Sequence, residues 1–164
     1  MRHVTRDQRG QALVEFALLI PVVLLLIFGV IDLGRVVFIN NSLSDGARHG
    51  ARNASVDPRA VDYCSVIDEA VRSATRGQPL STYTVTYQRI APDGTPEGAA
   101  LIVCQNGSDG PGKALLPSTV APGDRVTVVV EANVDLILGF IARAAGADTF
   151  NLHADSTMQV TFAP

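Results

Sequence analysis

Hydrophobic residues are packed most densely before residue 40. From Phe16 to Ile31 the chain reads FALLIPVVLLLIFGVI with no charge, and extension back to Gln11 adds only Glu15. As a helix, residues 11–31 would reach about 30 Å, the hydrocarbon thickness of a bilayer. The pattern therefore predicts a membrane-spanning segment over 11–31. Pro21 and Gly29 do not oppose it, because local adjustment satisfies the freed backbone groups, and Pro21 is the expected place for a bend.

Beyond Asp32 the apolar pattern narrows to one face. Leu33, Val36, Val37, Leu43, Ala47, Gly50, Ala51 and Ala54 recur at helical spacing, with Asp32, Arg35, Asp45, Arg48 and Arg52 elsewhere on the wheel. The helix is expected to continue to Ala54, making Glu15 to Ala54 about 60 Å long. Asn40 and Asn41 are its expected weak point, and Ser55 to Pro58 its stop. A second helix follows from Pro58 to Thr75, capped by Asp57, with Val61, Cys64, Ile67 and Val71 on one face and Gly77-Gln78-Pro79 after it.

The remainder reads as strands. TYTVTYQRI (82–90) and ALIVCQ (100–105) flank PDGTPEG as a hairpin, DRVTVVVEANVDLIL (124–138) is rich in valine, and FNLHADSTMQVTF (150–162) closes the set. GFIARAAG between the last two is expected to form a short apolar helical turn. The fold class is α+β, a long N-terminal helix packed on a small antiparallel sheet of about four strands. The organisation is a basic leader (1–10), a span (11–31), a helical continuation (32–55) and a small α+β domain (56–164).

Charge gives this layout a direction. Arg2, His3, Arg6 and Arg9 precede the span against Asp7, whereas Asp32 and Arg35 after it balance. The asymmetry predicts a single-pass protein of the cytoplasmic membrane, N-terminus in the cytoplasm and everything from Asp32 outside. A cleaved secretory signal is the competing reading, but the apolar core is long and IDLGRVVF lacks a small-x-small cleavage site. Cys64 and Cys104 would then lie outside, where a disulfide is the default against two separate buried thiols. It would join the second helix to the hairpin. With 164 residues and a net charge of -3, the chain has room for one modest domain and no charged arm for nucleic acid.

Glu15 is costly where it stands, by about 3 kcal/mol if it lies deep in lipid, so a carboxylate there calls for a partner unless it rests at headgroup level. The stretch Arg9-Gly10-Gln11-Ala12-Leu13-Val14-Glu15-Phe16 resembles a class III prepilin signal: a basic leader ending in Gly, then Glu and Phe opening an apolar helix. RGQALVEFALLIP, followed by GVIDLGR and LSDGARHGARNAS, resembles the TadE-like family of Tad (Flp) pilus assembly proteins over the first third of the chain. Asp32 departs from the family's more frequent Glu, and Gly46 and His49 stand where Ala and an acidic residue are common.

The resemblance implies a pilin-like spine helix and a membrane prepilin peptidase as processing enzyme, cutting between Gly10 and Gln11. A Gly at the cut lets a protease approach the backbone closely. Cleavage would lower the basic residues from 13 to 10 and the acidic ones from 16 to 15. The resemblance further implies that Glu15 pairs with a neighbouring subunit's N-terminal amine, two charges offsetting each other in lipid. Other pilins or pseudopilins and pilus platform proteins are the implied partners. Arg48 and Arg52, four apart on one face, suit an acidic partner or phosphate, against the plainer reading that they are solvated or paired with Asp45.

No chemistry competes with a structural role. Gly107 to Lys113 fits G-x-x-x-x-G-K, but Ala114 replaces the magnesium-binding hydroxyl and Pro117 cuts the following helix short, so a glycine-rich turn is expected. His3, His49 and His153 fall on different elements without companion ligands, and no nucleophile elbow is present. The sequence therefore predicts no enzyme, no metal and no cofactor. The leading expectation is a minor pseudopilin or pilus-assembly protein. The alternative is an uncleaved signal-anchored surface protein whose outer domain binds an envelope component.

Overall fold

The computed structural model describes residues 8–56, 61–75, 77–78, 80–116, 121–137, 139, 143 and 150–161. Helix α1 (Gln8–Ala54) is continuous through Pro21 and through Asn40 and Asn41. The expected weak point does not break it: both asparagines are exposed, and the Asn40 carbonyl also accepts the Ser44 hydroxyl at 3.0 Å. At its end the Tyr63 hydroxyl donates to the freed Ala54 carbonyl at 2.8 Å, satisfying one orphan acceptor of the last turn.

α1 has two regimes. From Gly10 to Ile31 no residue is buried, and the first that is buried is Asp32. Thereafter Ile39, Ser42, Leu43, Gly46, Ala47, Gly50, Ala51 and Ala54 are buried, at spacings of three and four that mark a single helix face. Leu33 and Val37, expected on that face, are instead 65% and 52% exposed. Each lies one position, about 100°, from the inward-facing Asp32 and Val36. With Phe38 they prolong the uncovered apolar surface of the span.

Helix α2 (Tyr63–Ala74) starts later than the sequence suggested, and Val61, expected on its inner face, precedes it and is almost wholly exposed. The Asp57 cap, Pro58, and Pro79 lie outside the described residues, as do the leader residues 1–7 and most of GFIARAAG. Cys64, Ile67 and Val71 are buried as expected.

Five strands form one antiparallel sheet: β1 (Thr82–Ile90), β2 (Pro96–Gln105), β3 (Ser108–Asp109), β4 (Arg125–Val134) and β5 (Phe150–Gln159), in the order β3-β2-β1-β4-β5. β3 is the strand beyond the expected four, a two-residue return after the left-handed turn Asn106-Gly107. β2 begins at Pro96 rather than residue 100; Gly98, at φ +77°, and two register shifts let the longer strand stay paired. β4 stops at Val134, short of residue 138, because the chain turns there toward α1.

One face of the sheet carries both helices. Tyr83, Val85 and Tyr87 of β1 and Val126, Val128 and Val130 of β4 meet Leu43, Ala47 and Ala51 of α1 and Ile67 and Val71 of α2 in a single core. Each large apolar side chain so buried contributes about 1.5–3 kcal/mol. α1 comes close because its inner stripe is small. A Cβ on Gly46 would stand 2.5 Å from Thr75 Cγ2, and one on Gly50 2.7 Å from Val71 Cγ2 and 3.1 Å from Val128 Cγ1.

α1 also runs beside β5 in the same direction. At one end Asp32 Oδ1 accepts Ile137 N at 2.9 Å, just past β4, and at the other the Ser55 carbonyl accepts Thr161 N at 3.1 Å, just past β5. Helix rise over Asp32–Ser55 gives about 35 Å and strand rise over Phe150–Thr161 about 36 Å, so the two keep pace.

Candidate functional site

The residues singled out at the N-terminus stand on the uncovered part of α1. A Cβ on Gly10 would meet nothing within 4 Å, and Gln11, Glu15 and Phe16 are exposed. Gln11 Nε2 donates to Glu15 Oε1 at 3.4 Å, one turn apart on the same face. That weak amide contact leaves the carboxylate most of its acceptor capacity for another group. The Gly10–Gln11 bond lies within α1, close to the first of the described residues.

Arg48 and Arg52 are exposed on the outer half of the same helix, and among the described residues no ion pair to Asp45 or any other carboxylate holds them. Helix rise puts Arg48 about 50 Å from Glu15. The structure therefore does not gather the two sets into one site. They are two stations on one rod, one on its uncovered apolar part and one on its outer half.

Between them lies a junction that little in the residue pattern singles out. Asp32 is 6% exposed and holds the Ile137 amide, and Arg35 Nη1, one turn on, donates to the Asp135 carbonyl at 3.1 Å. Both ends of this clamp are backbone groups at the end of β4, so no side-chain signal marks them. The only trace in the sequence is an acid and a base three apart at the end of the apolar run.

A disulfide joins Cys64 of α2 to Cys104 of β2, with Cα atoms 5.5 Å apart, and ties the second helix to the β1-β2 hairpin. Beside it the glycine-rich turn closes on β2. Gly110 N donates to Val103 O at 2.7 Å, Gly112 N to Ile102 O at 2.8 Å, and Lys113 Nζ reaches Asp109 Oδ1 at 2.7 Å. A single 3-10 turn (Lys113–Leu115) follows where a phosphate-binding loop would open an α-helix.

The buried polar groups support the fold. Asp124 is 1% exposed; its carboxylate accepts the Tyr87 hydroxyl, Ile90 N at 2.9 Å and Ala121 N at 2.9 Å, and so binds the end of β1 to the start of β4. Burial pushes the Tyr87 phenol above the ordinary tyrosine range, helped by the Asp124 carboxylate. Burial also raises Tyr83, with the charge of Asp68 adding to it; its hydroxyl has no hydrogen-bond partner among the described residues. A groove of about 200 Å³ between Tyr87, Arg89, Glu97 and Leu115 is smaller than an ordinary small-molecule site. Among the described residues no three His, Cys, Asp or Glu side chains converge as metal ligands.

Residues 10–52 match the model of the TadE-like protein family. The matched segment covers Gly10, the uncovered apolar helix, the Asp32–Arg35 clamp and both exposed arginines, and ends two residues before α1 does. No curated protein and no solved structure matches the chain.

Proposed function

We propose that this chain, TadE-like over residues 10–52, is a minor pseudopilin or pilus-assembly protein of a Tad (Flp) pilus system, acting by subunit contact and not by catalysis. The observation that carries the reading is the division of α1 within the matched segment. One continuous helix is uncovered and apolar up to Ile31, then seated in an outer domain from Asp32. An apolar helix with no intramolecular cover, long enough to cross a bilayer, asks for lipid or other helices around it.

On this reading the N-terminus faces the cytoplasm, the α+β domain lies outside, and the prepilin peptidase cuts after Gly10. Glu15 then offsets the N-terminal amine of a neighbouring pilin in lipid. Arg48 and Arg52, paired with no acid among the described residues, contact an acidic patch on a pilin or platform protein outside the membrane.

The deciding experiment is intact mass of membrane-extracted protein together with recovery in sheared pili. A chain beginning at Gln11 that co-purifies with pilins is the expected result. An intact N-terminus in cells that process their other pilins would favour the signal-anchored alternative, and loss of neither processing nor co-purification in Glu15→Ala would remove the pairing role.

A further inference from the structure

We infer that the outer edge of β5 accepts an extended segment of a different polypeptide as a sixth strand. The two edges of the sheet are built differently. At the far edge β3 pairs with Cys104 and Gln105, and the backbone of Gly110 and Gly112 bonds to Val103 and Ile102. The rest of that edge begins at Pro96 and is kinked at Gly98, φ +77°. A proline, a bulge and a covering loop are the devices that stop an edge from pairing.

Among the described residues β5 carries none of them. Its ten residues register without a shift against β4 and include no proline, lysine or arginine. Among the described residues no strand lies beyond it, and Phe150–Gln159 make no backbone hydrogen bond outside the ladder with β4. The side chains are unfinished as well. Leu152 and Met158 face α1 but are only half-buried, whereas their partners across the ladder, Ala132 and Val126, are 2% and 0% exposed. A further strand would cover that remaining apolar surface while pairing the open row of amides and carbonyls.

The direction of α1 decides what the added strand belongs to. Because α1 runs with β5, a twofold antiparallel pairing of two β5 edges would point the two spans in opposite directions. Two copies crossing one bilayer in the same sense cannot adopt it. Pairing β5 with the far edge of another copy meets Pro96, Gly98 and the covering loop. What fits is an extracytoplasmic segment of another chain, extended, with small or apolar residues toward Leu152, Ala154 and Met158 and polar ones continuing the exposed row Asn151, His153, Asp155 and Thr157.

The exclusion of a second copy rests on the membrane-anchored reading; the open edge does not. The test places a photo-crosslinking residue at Asn151, Asp155 or Gln159 of the full-length protein in its native membrane. Adducts should fall in one segment of another polypeptide and advance along it in step as the label moves by four residues. Asn151→Lys and His153→Lys, at exposed positions, should abolish the adduct from Asp155 without moving the melting temperature of the purified protein. Adducts only between copies, adducts that do not advance in step, or none at all would overturn the proposal. Intact mass reports N-terminal processing separately, so either reading can fail alone.

Discussion

Asp32 holds the backbone amide of Ile137 at 2.9 Å across a separation of 105 residues, at the point where α1 passes from uncovered helix to buried helix. With Arg35 on the Asp135 carbonyl, this ties the chain just past β4 to the start of the buried part of α1. Without the clamp, Leu43 and the small residues beyond it would still seat the upper helix. The lower end, with α1 leaving the sheet, would be free to open.

Asp32→Ala should therefore leave Ile137 N without its acceptor and cost about 1–3 kcal/mol, with hydrogen exchange at Ile137 accelerated before that of Val128. Asp32→Asn keeps an acceptor oxygen and should cost less. Equal exchange at Ile137 in wild type and Asp32→Ala would show that the clamp does not hold.

Gly50 is confined by two valines, neither of which has a flexible end that can swing away. Gly50→Leu should lower stability by about 1–3 kcal/mol or more through overpacking, measured by guanidinium unfolding of the whole chain in detergent. At Gly10, where a Cβ meets open space, Gly10→Ala should leave unfolding unchanged. Any effect it has on processing would then belong to the peptidase and not to the fold.

The Cys64–Cys104 disulfide closes a loop with a sequence separation of 40. Chain entropy gives it about 4 kcal/mol of stabilisation. The double variant Cys64→Ser/Cys104→Ser should unfold at markedly lower denaturant, and reduction of the wild-type protein should reproduce the shift. A reduced protein as stable as the oxidised one would contradict the assignment.

Tyr83 and Tyr87 are pushed above the ordinary tyrosine value, about 10, chiefly by burial. In the unfolded chain they ionise near that value, and in the folded chain only above it. Their contribution to stability is thus fully present below pH about 10 and lost as pH rises through the folded values. The melting temperature should fall above pH about 10, and phenolate absorbance from these two should grow only with unfolding. Full tyrosine titration with native circular dichroism intact would refute this. Asp124→Ala, which strands three donors at once, should cost at least about 3 kcal/mol at neutral pH.

The sequence by itself determined the elements whose cause is local. The uncharged run Phe16–Ile31 can only be a spanning or buried helix, and the three-and-four spacing of Leu43 to Ala54 carries that helix on to Ala54. Alternating Val and Thr give β1 and β4, and Gly10, Glu15 and Phe16 present their pattern within seven residues. Tertiary structure decided whatever depends on which neighbour arrives. Leu33 and Val37 look like core by period, yet the sheet meets the helix one position round, at Asp32 and Val36, and leaves them uncovered. Asp32 looks like the polar end of a span, yet a backbone amide from residue 137 makes it a clamp. That β5 is an edge among the described strands is likewise invisible in its residues, because an edge is a strand that no other described strand has joined, and strand order is set by long-range pairing.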